Sequence, residues 1–103
     1  MTNLNYLIEK IKDWAIDRNL HTGDPAGQIN KLFEEGGEIA KAFNKQNTED
    51  LKDGIGDVIV VLTVLSLQLN LDITECVKLA YEEIKDRRGK LINGVFVKES
   101  DLE

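Results

Sequence analysis

The chain has 103 residues, enough for one small domain with a single core, and its hydrophobic content of 42% excludes a disordered tail. The net charge of −6 argues against a surface for nucleic acid or anionic membranes and suits a protein that holds cations. One cysteine, Cys76, excludes an internal disulfide, Met1 to Tyr6 lacks the regions of a signal peptide, and the longest apolar run, Val58 to Leu62, is too short to span a bilayer; a cytoplasmic protein is expected.

Four helices can be read in chain order. The first runs from about Asn5 to Leu20, with Leu7, Ile8, Ile11, Trp14 and Ala15 on one stripe. Trp14 on that stripe reads as core packing ahead of base stacking. His21 follows in a polar loop, alone and solvated. Asp24-Pro25 is an N-cap with proline at the first helical position. The second helix then reaches about Phe43, with Ile29, Leu32, Phe33, Gly36, Ile39, Ala40 and Phe43 as its apolar face. Thr48 is the expected N-cap of the third, since Glu49 and Asp50 follow in the first turn. That helix ends near Leu69. The fourth carries Ile73, Cys76, Val77, Ala80 and Ile84, with Cys76 read as a small buried residue. Gly89 is its expected stop, with Lys85, Arg87 and Arg88 in the last turn. Val95-Phe96-Val97 reads as a short extended piece. The expected architecture is therefore all-α: one domain over residues 1–103, with a four-helix core over about 5–89 and a short tail over 90–103.

Two acidic clusters stand out. Glu34-Glu35-Gly36-Gly37-Glu38 lies on the second helix and Asp53-Gly54-Ile55-Gly56-Asp57 on the third. Residues three or four apart share a helix face, so Glu35 pairs with Glu38 and Asp53 with Asp57. Carboxylates crowded on one face repel unless a cation lies between them. If the two helices pack together, four carboxylates converge on a hard oxygen site suited to Mg²⁺. Glycines at 36, 37, 54 and 56 each cost about 1 kcal/mol in a helix, and close approach of the two backbones would offset that cost. The alternative is a helix break at Gly54 or Gly56. From Val58 to Leu69 the third helix is apolar nearly all round. Burying it calls for a homodimer or homotetramer, or else for a central position among the other three helices.

These residues together resemble the MazG-like nucleoside triphosphate pyrophosphohydrolases, an all-α family whose signature is Glu-Glu-x-x-Glu on one helix and Glu-x-x-Asp on the next. Glu34, Glu35 and Glu38 complete the first half, preceded by Gln28 and Lys31. The second half departs: Gly54 stands three before Asp57, and Asp53 lies four before it. On a helix those offsets fall about 60° and 40° from the reference residue on opposite sides, so Asp53 can stand in, with Asp50 in reserve. The segment from Tyr81 to Lys90 resembles the family's basic C-terminal stretch. The whole looks like the short single-domain form found in phages and Gram-positive bacteria.

The resemblance implies Mg²⁺, or Mn²⁺ in its place, held by Glu35, Glu38, Asp53 and Asp57, with Glu34, Glu35 and Glu38 as the catalytic acidic set. It implies attack by water at the α-phosphorus of a nucleoside triphosphate, releasing a monophosphate and pyrophosphate. Lys85, Arg88 and Lys90 would contact phosphates. Lys31 would do the same or pair with Glu35. Gln28 and Trp14 are candidates for the base. No nucleic-acid or membrane partner is expected. The alternative function is a non-catalytic helical oligomer that acts as a protein-interaction module, its acids a solvated stripe.

Overall fold

The computed structural model describes residues 2–102. The architecture is all-α, with four helices: α1 (Leu4–Asp17), α2 (Pro25–Asn44), α3 (Thr48–Gln68) and α4 (Ile73–Ile84). The chain divides into two compact units, one up to Ile73 and one from Thr74 onward.

In the first unit α3 packs against both α1 and α2. The residues of α2 turned inward are Leu32, Glu35, Ile39 and Ala42, spaced alternately three and four apart. This differs from the expected face: Phe33 and Phe43 are 76% and 68% exposed. Phe33 lies about 140° from the centre of the inward stripe, and Phe43 lies about 60° from it in the last turn. Ile39 meets Gly54, and Glu35 meets Asp57, so α2 and α3 run antiparallel. A Cβ on Gly54 would come within 2.7 Å of Ile39 Cγ1, so close approach accounts for this glycine. It does not account for Gly36, Gly37 or Gly56, where a Cβ would meet nothing within 4 Å. Nor is there a helix break, for α3 runs unbroken through Gly54 and Gly56.

The apolar stretch of α3 supplies Val61 and Val64 to the core, joined by Ala15 and Ala42 from its neighbours. Thr63 and Ser66 are also buried, and their hydroxyls donate to the Ile59 and Leu62 carbonyls one turn back. The caps follow the chemistry of the loops. Asp24 accepts from Ala26 N ahead of Pro25, as expected. The α3 cap is Asn47 rather than Thr48, because the longer amide both accepts from Asp50 N and donates to the Asp50 carboxylate. A short 3₁₀ turn at Leu20–Thr22 rests on the end of α3, where Gln68 Nε2 donates to the Leu20 carbonyl at 2.9 Å. His21 in this turn is half-buried, not solvated, and its Nδ1 is buried without a hydrogen-bond partner.

The second unit holds most of α4 and a hairpin of β1 (Gly89–Ile92) and β2 (Val95–Lys98). The fourth helix ends at Ile84, short of the expected Gly89, so Lys85, Arg87 and Arg88 lie beyond its last turn. Gly89 instead opens β1 opposite Lys98, where a Cβ would collide with the Val97 carbonyl and the Phe96 ring. The tail is thus a folded hairpin. Asn93 and Gly94, both at positive φ, form its two-residue turn. Cys76 is exposed rather than buried. Among the described residues no single helix is long and apolar enough to cross a membrane.

Candidate functional site

Two cavities flank α3 in the first unit, and Asp53 and Asp57 border both. The first, of about 400 Å³, lies between α2 and α3. Glu35, Glu38, Asp50, Asp53 and Asp57 line it, together with Lys41, Lys45, Ala42 and Gly54. The helical spacing accounts for this grouping: 35, 38, 42 and 45 share one face of α2, and 50, 53, 54 and 57 share one face of α3. The antiparallel packing at Gly54 turns those faces toward each other.

Glu35 is the most constrained of the acids. It sits on the inward stripe between Leu32 and Ile39 and is half-buried. Its carboxyl is held above the usual glutamate range, first by loss of solvent, then by the charges of Asp57 and Glu38. A side-chain hydrogen bond with Asp57 acts in the same direction, and the Lys31 charge opposes it. The cavity is therefore short of positive charge where α2 and α3 meet. Lys41 and Lys45 border it without joining an ion pair among the described residues.

The donor set is all carboxylate oxygen, which fits a hard divalent cation. Glu35 and Asp57 are in side-chain contact, but among the described residues no group of three or more His, Cys, Asp or Glu is arranged to hold a metal ion. Glu38 and Asp53 are exposed, so changes of rotamer are open to them.

The other residues singled out from sequence fall elsewhere. Glu34 is exposed and does not line the acidic cavity. Lys31 is exposed, near enough to act on Glu35, and Gln28 is half-buried on the inward stripe. Lys85, Arg88 and Lys90 belong to the second unit. Lys85 there is ion-paired with Glu82, and Arg87 lies 3.6 Å from Glu83.

Trp14 is not a core residue. It is 43% exposed and lines the second cavity, about 560 Å³ between α1 and α3. Ala15 takes the fully buried place beside it, and the bulk of the indole is left at the groove. The Arg18 guanidinium lies 4.8 Å from the ring centroid and donates to the Trp14 carbonyl. Sequence reasoning missed Lys41 and Lys45, although their offsets from Glu38 carry the signal. It also missed the walls of the second cavity, Leu7, Ile11, Ile59 and Val60, because apolar residues on a helix stripe read as core.

Comparison with known proteins adds two findings. The family described as MazG nucleotide pyrophosphohydrolase domain matches residues 25–92, which takes in both acidic clusters. The 18.2 kDa protein from the rep-hol intergenic region of Haemophilus phage HP1 (strain HP1c1) is 41% identical over 73 residues. The aligned segment is 70% of this chain and 45% of the phage protein, so the chain spans under half of that relative's length. No solved structure matches the chain.

Proposed function

Because this chain belongs to the MazG nucleotide pyrophosphohydrolase domain family, we propose that it hydrolyses nucleoside triphosphates to monophosphate and pyrophosphate with the help of Mg²⁺. The observation that carries this reading is the single cavity lined by Glu35, Glu38, Asp53 and Asp57 across the α2–α3 seam. These four carboxylates would hold the cation. A divalent ion there would neutralise part of the triphosphate charge and polarise its phosphate oxygens.

The chain's own residues then divide the work. Lys41 and Lys45, unpaired at the rim, supply charge to the distal phosphates. Lys31 is a further phosphate contact on this reading, and Lys85, Arg88 and Lys90 are phosphate candidates carried by the second unit. Carboxylates not engaged with the cation orient the attacking water and accept its proton, and Glu34 serves from the outer side. Water adds at the α-phosphorus, the bond from that phosphorus to the α,β-bridging oxygen breaks, and pyrophosphate leaves with the electron pair. Trp14 faces the nucleoside from the adjoining cavity, with which Asp53 and Asp57 are shared, and Gln28 is a second candidate for the base. The working form on this reading is a cytoplasmic homo-oligomer; association is supported by Phe33, Leu79, Leu91 and Val95, large apolar side chains left exposed on one chain.

Pyrophosphate release from a panel of triphosphates tests this directly, with the mass in solution measured alongside. Mg²⁺-dependent release is expected from an assembly of more than one chain. Outer partners of metal ligands are worth about 10–100-fold, so Glu38→Gln should cost at least about 100-fold in kcat/KM. Glu34→Gln should cost less. Absence of release with every triphosphate would leave the protein-interaction reading in its place.

A further inference from the structure

The cavity between α1 and α3 has a composition that bears on which bases it accepts. Its walls are aliphatic, from Leu7, Ile11, Ile59 and Val60, with Trp14 at the side. Its polar side chains are the charged Lys10, Lys52 and the two shared aspartates, with the Trp14 indole N–H as the one neutral side-chain donor. No asparagine, glutamine, serine, threonine or histidine lines it. The backbone adds little beyond the amide of Leu4 at the first position of α1, since the other wall residues lie within α1 and α3. A base placed here finds mainly apolar surface, with the Trp14 N–H as the one neutral side-chain group able to meet its edge. At about 560 Å³ the cavity lies in the usual range for small-molecule sites.

We propose that this cavity takes the base of the substrate and selects it by apolar surface, so that of two bases differing by one methyl group the methylated one is preferred. The inference rests on the triphosphate reading above. Its occupant follows from the shared boundary: a nucleotide with its phosphates in the acidic cavity reaches across Asp53 and Asp57 into this groove. Leu7, Ile11, Ile59 and Val60 are then the specificity-determining residues. Burial of one methyl group corresponds to about fourfold in affinity.

The test compares dUTP with dTTP, and dCTP with 5-methyl-dCTP, by kcat/KM for pyrophosphate release. Binding of the four corresponding monophosphates is followed in parallel, without metal, by the emission of Trp14, the only tryptophan. The methylated member should be favoured about fourfold in both pairs, in turnover and in binding, with Trp14 emission quenched. Leu7→Asn, at an exposed position where folding is retained, should bring both ratios close to one. Equal ratios in the wild type, a preference for the unmethylated base, or unchanged emission at saturation would overturn the inference. So would a Leu7→Asn chain that loses its oligomeric state and keeps the methyl ratio, which would make the groove an interface between copies. Pyrophosphate release without methyl preference overturns this inference alone. Release from no triphosphate overturns the reading beneath it, and the monophosphate ratios then still decide the groove.

Discussion

Glu35 occupies a half-buried position on the inward stripe of α2, between Leu32 and Ile39. Partial loss of solvent and the charges of Asp57 and Glu38 raise its proton affinity above that of a free glutamate. The linked effect on stability has a definite sign. Well below the ordinary glutamate value both folded and unfolded chains hold the proton, and no penalty exists. As pH rises through the raised value, the folded chain must carry an ionised carboxylate that its neighbours disfavour. The metal-free fold is therefore weakened at neutral pH by this carboxylate. Glu35→Gln should raise the metal-free Tm at pH 7 and leave it nearly unchanged well into the acid range. Added Mg²⁺ should raise the wild-type Tm and leave the variant's where it was. Thermal melts of both chains across pH, with and without Mg²⁺, check this; a lower Tm for Glu35→Gln at pH 7 would contradict it.

At the scale of elements, the α2–α3 seam is set by a missing side chain. Gly54 lets Ile39 come close, and a methyl group there would have to displace Ile39 Cγ1 from 2.7 Å. Overpacking of that kind costs about 1–3 kcal/mol, more than the gain of about 1 kcal/mol from replacing a helical glycine. Gly36 and Gly37 face open space, so there the gain stands alone. Gly36→Ala and Gly37→Ala should each raise Tm by about 4–8 °C, and Gly54→Ala should lower it. A Gly54→Ala chain as stable as Gly36→Ala would mean the seam is looser than described. The same contact explains why glycine stands three before Asp57: a glutamate Cβ has no room there, and Asp53, one residue earlier, lines the cavity instead.

Much of this was legible in the sequence, and the reasons it was or was not are local. Carboxylate spacing on two helices fixed which acids share a face, because helical periodicity is rigid. The Asp24-Pro25 start followed from capping chemistry. The inward stripe of α2 was misjudged, since Phe33 is more apolar than Glu35 and only packing at Gly54 shows which of them faces α3. Trp14 looked like core for the same reason. The hairpin is half legible: Val95 to Val97 reads as extended, but Gly89 reads as a helix stop and Lys90 to Ile92 as plain tail. Asn93-Gly94 between two apolar runs carried that signal, and basic residues before Gly89 imitated a helix terminus.

On the scale of the molecule, one helix borders two cavities. In the first unit α3 gives Asp53 and Asp57 to an acidic cavity on one flank and to an apolar cavity on the other. Phosphates and base would then be gripped by a single rigid element. That arrangement favours precise placement, since sites on helices hold geometry better than sites on loops. The four local ion pairs on the surface add little to it, for exposed pairs one turn apart contribute well under about 1 kcal/mol.

The most direct measurement is anomalous diffraction from crystals of the whole chain grown with Mn²⁺ and a non-hydrolysable triphosphate analogue. The account predicts a manganese peak between α2 and α3, bounded by oxygens of Glu35, Glu38, Asp53 and Asp57 at about 2.1 Å. Ordered manganese found only elsewhere, with those four side chains turned apart around a bound analogue, would contradict it.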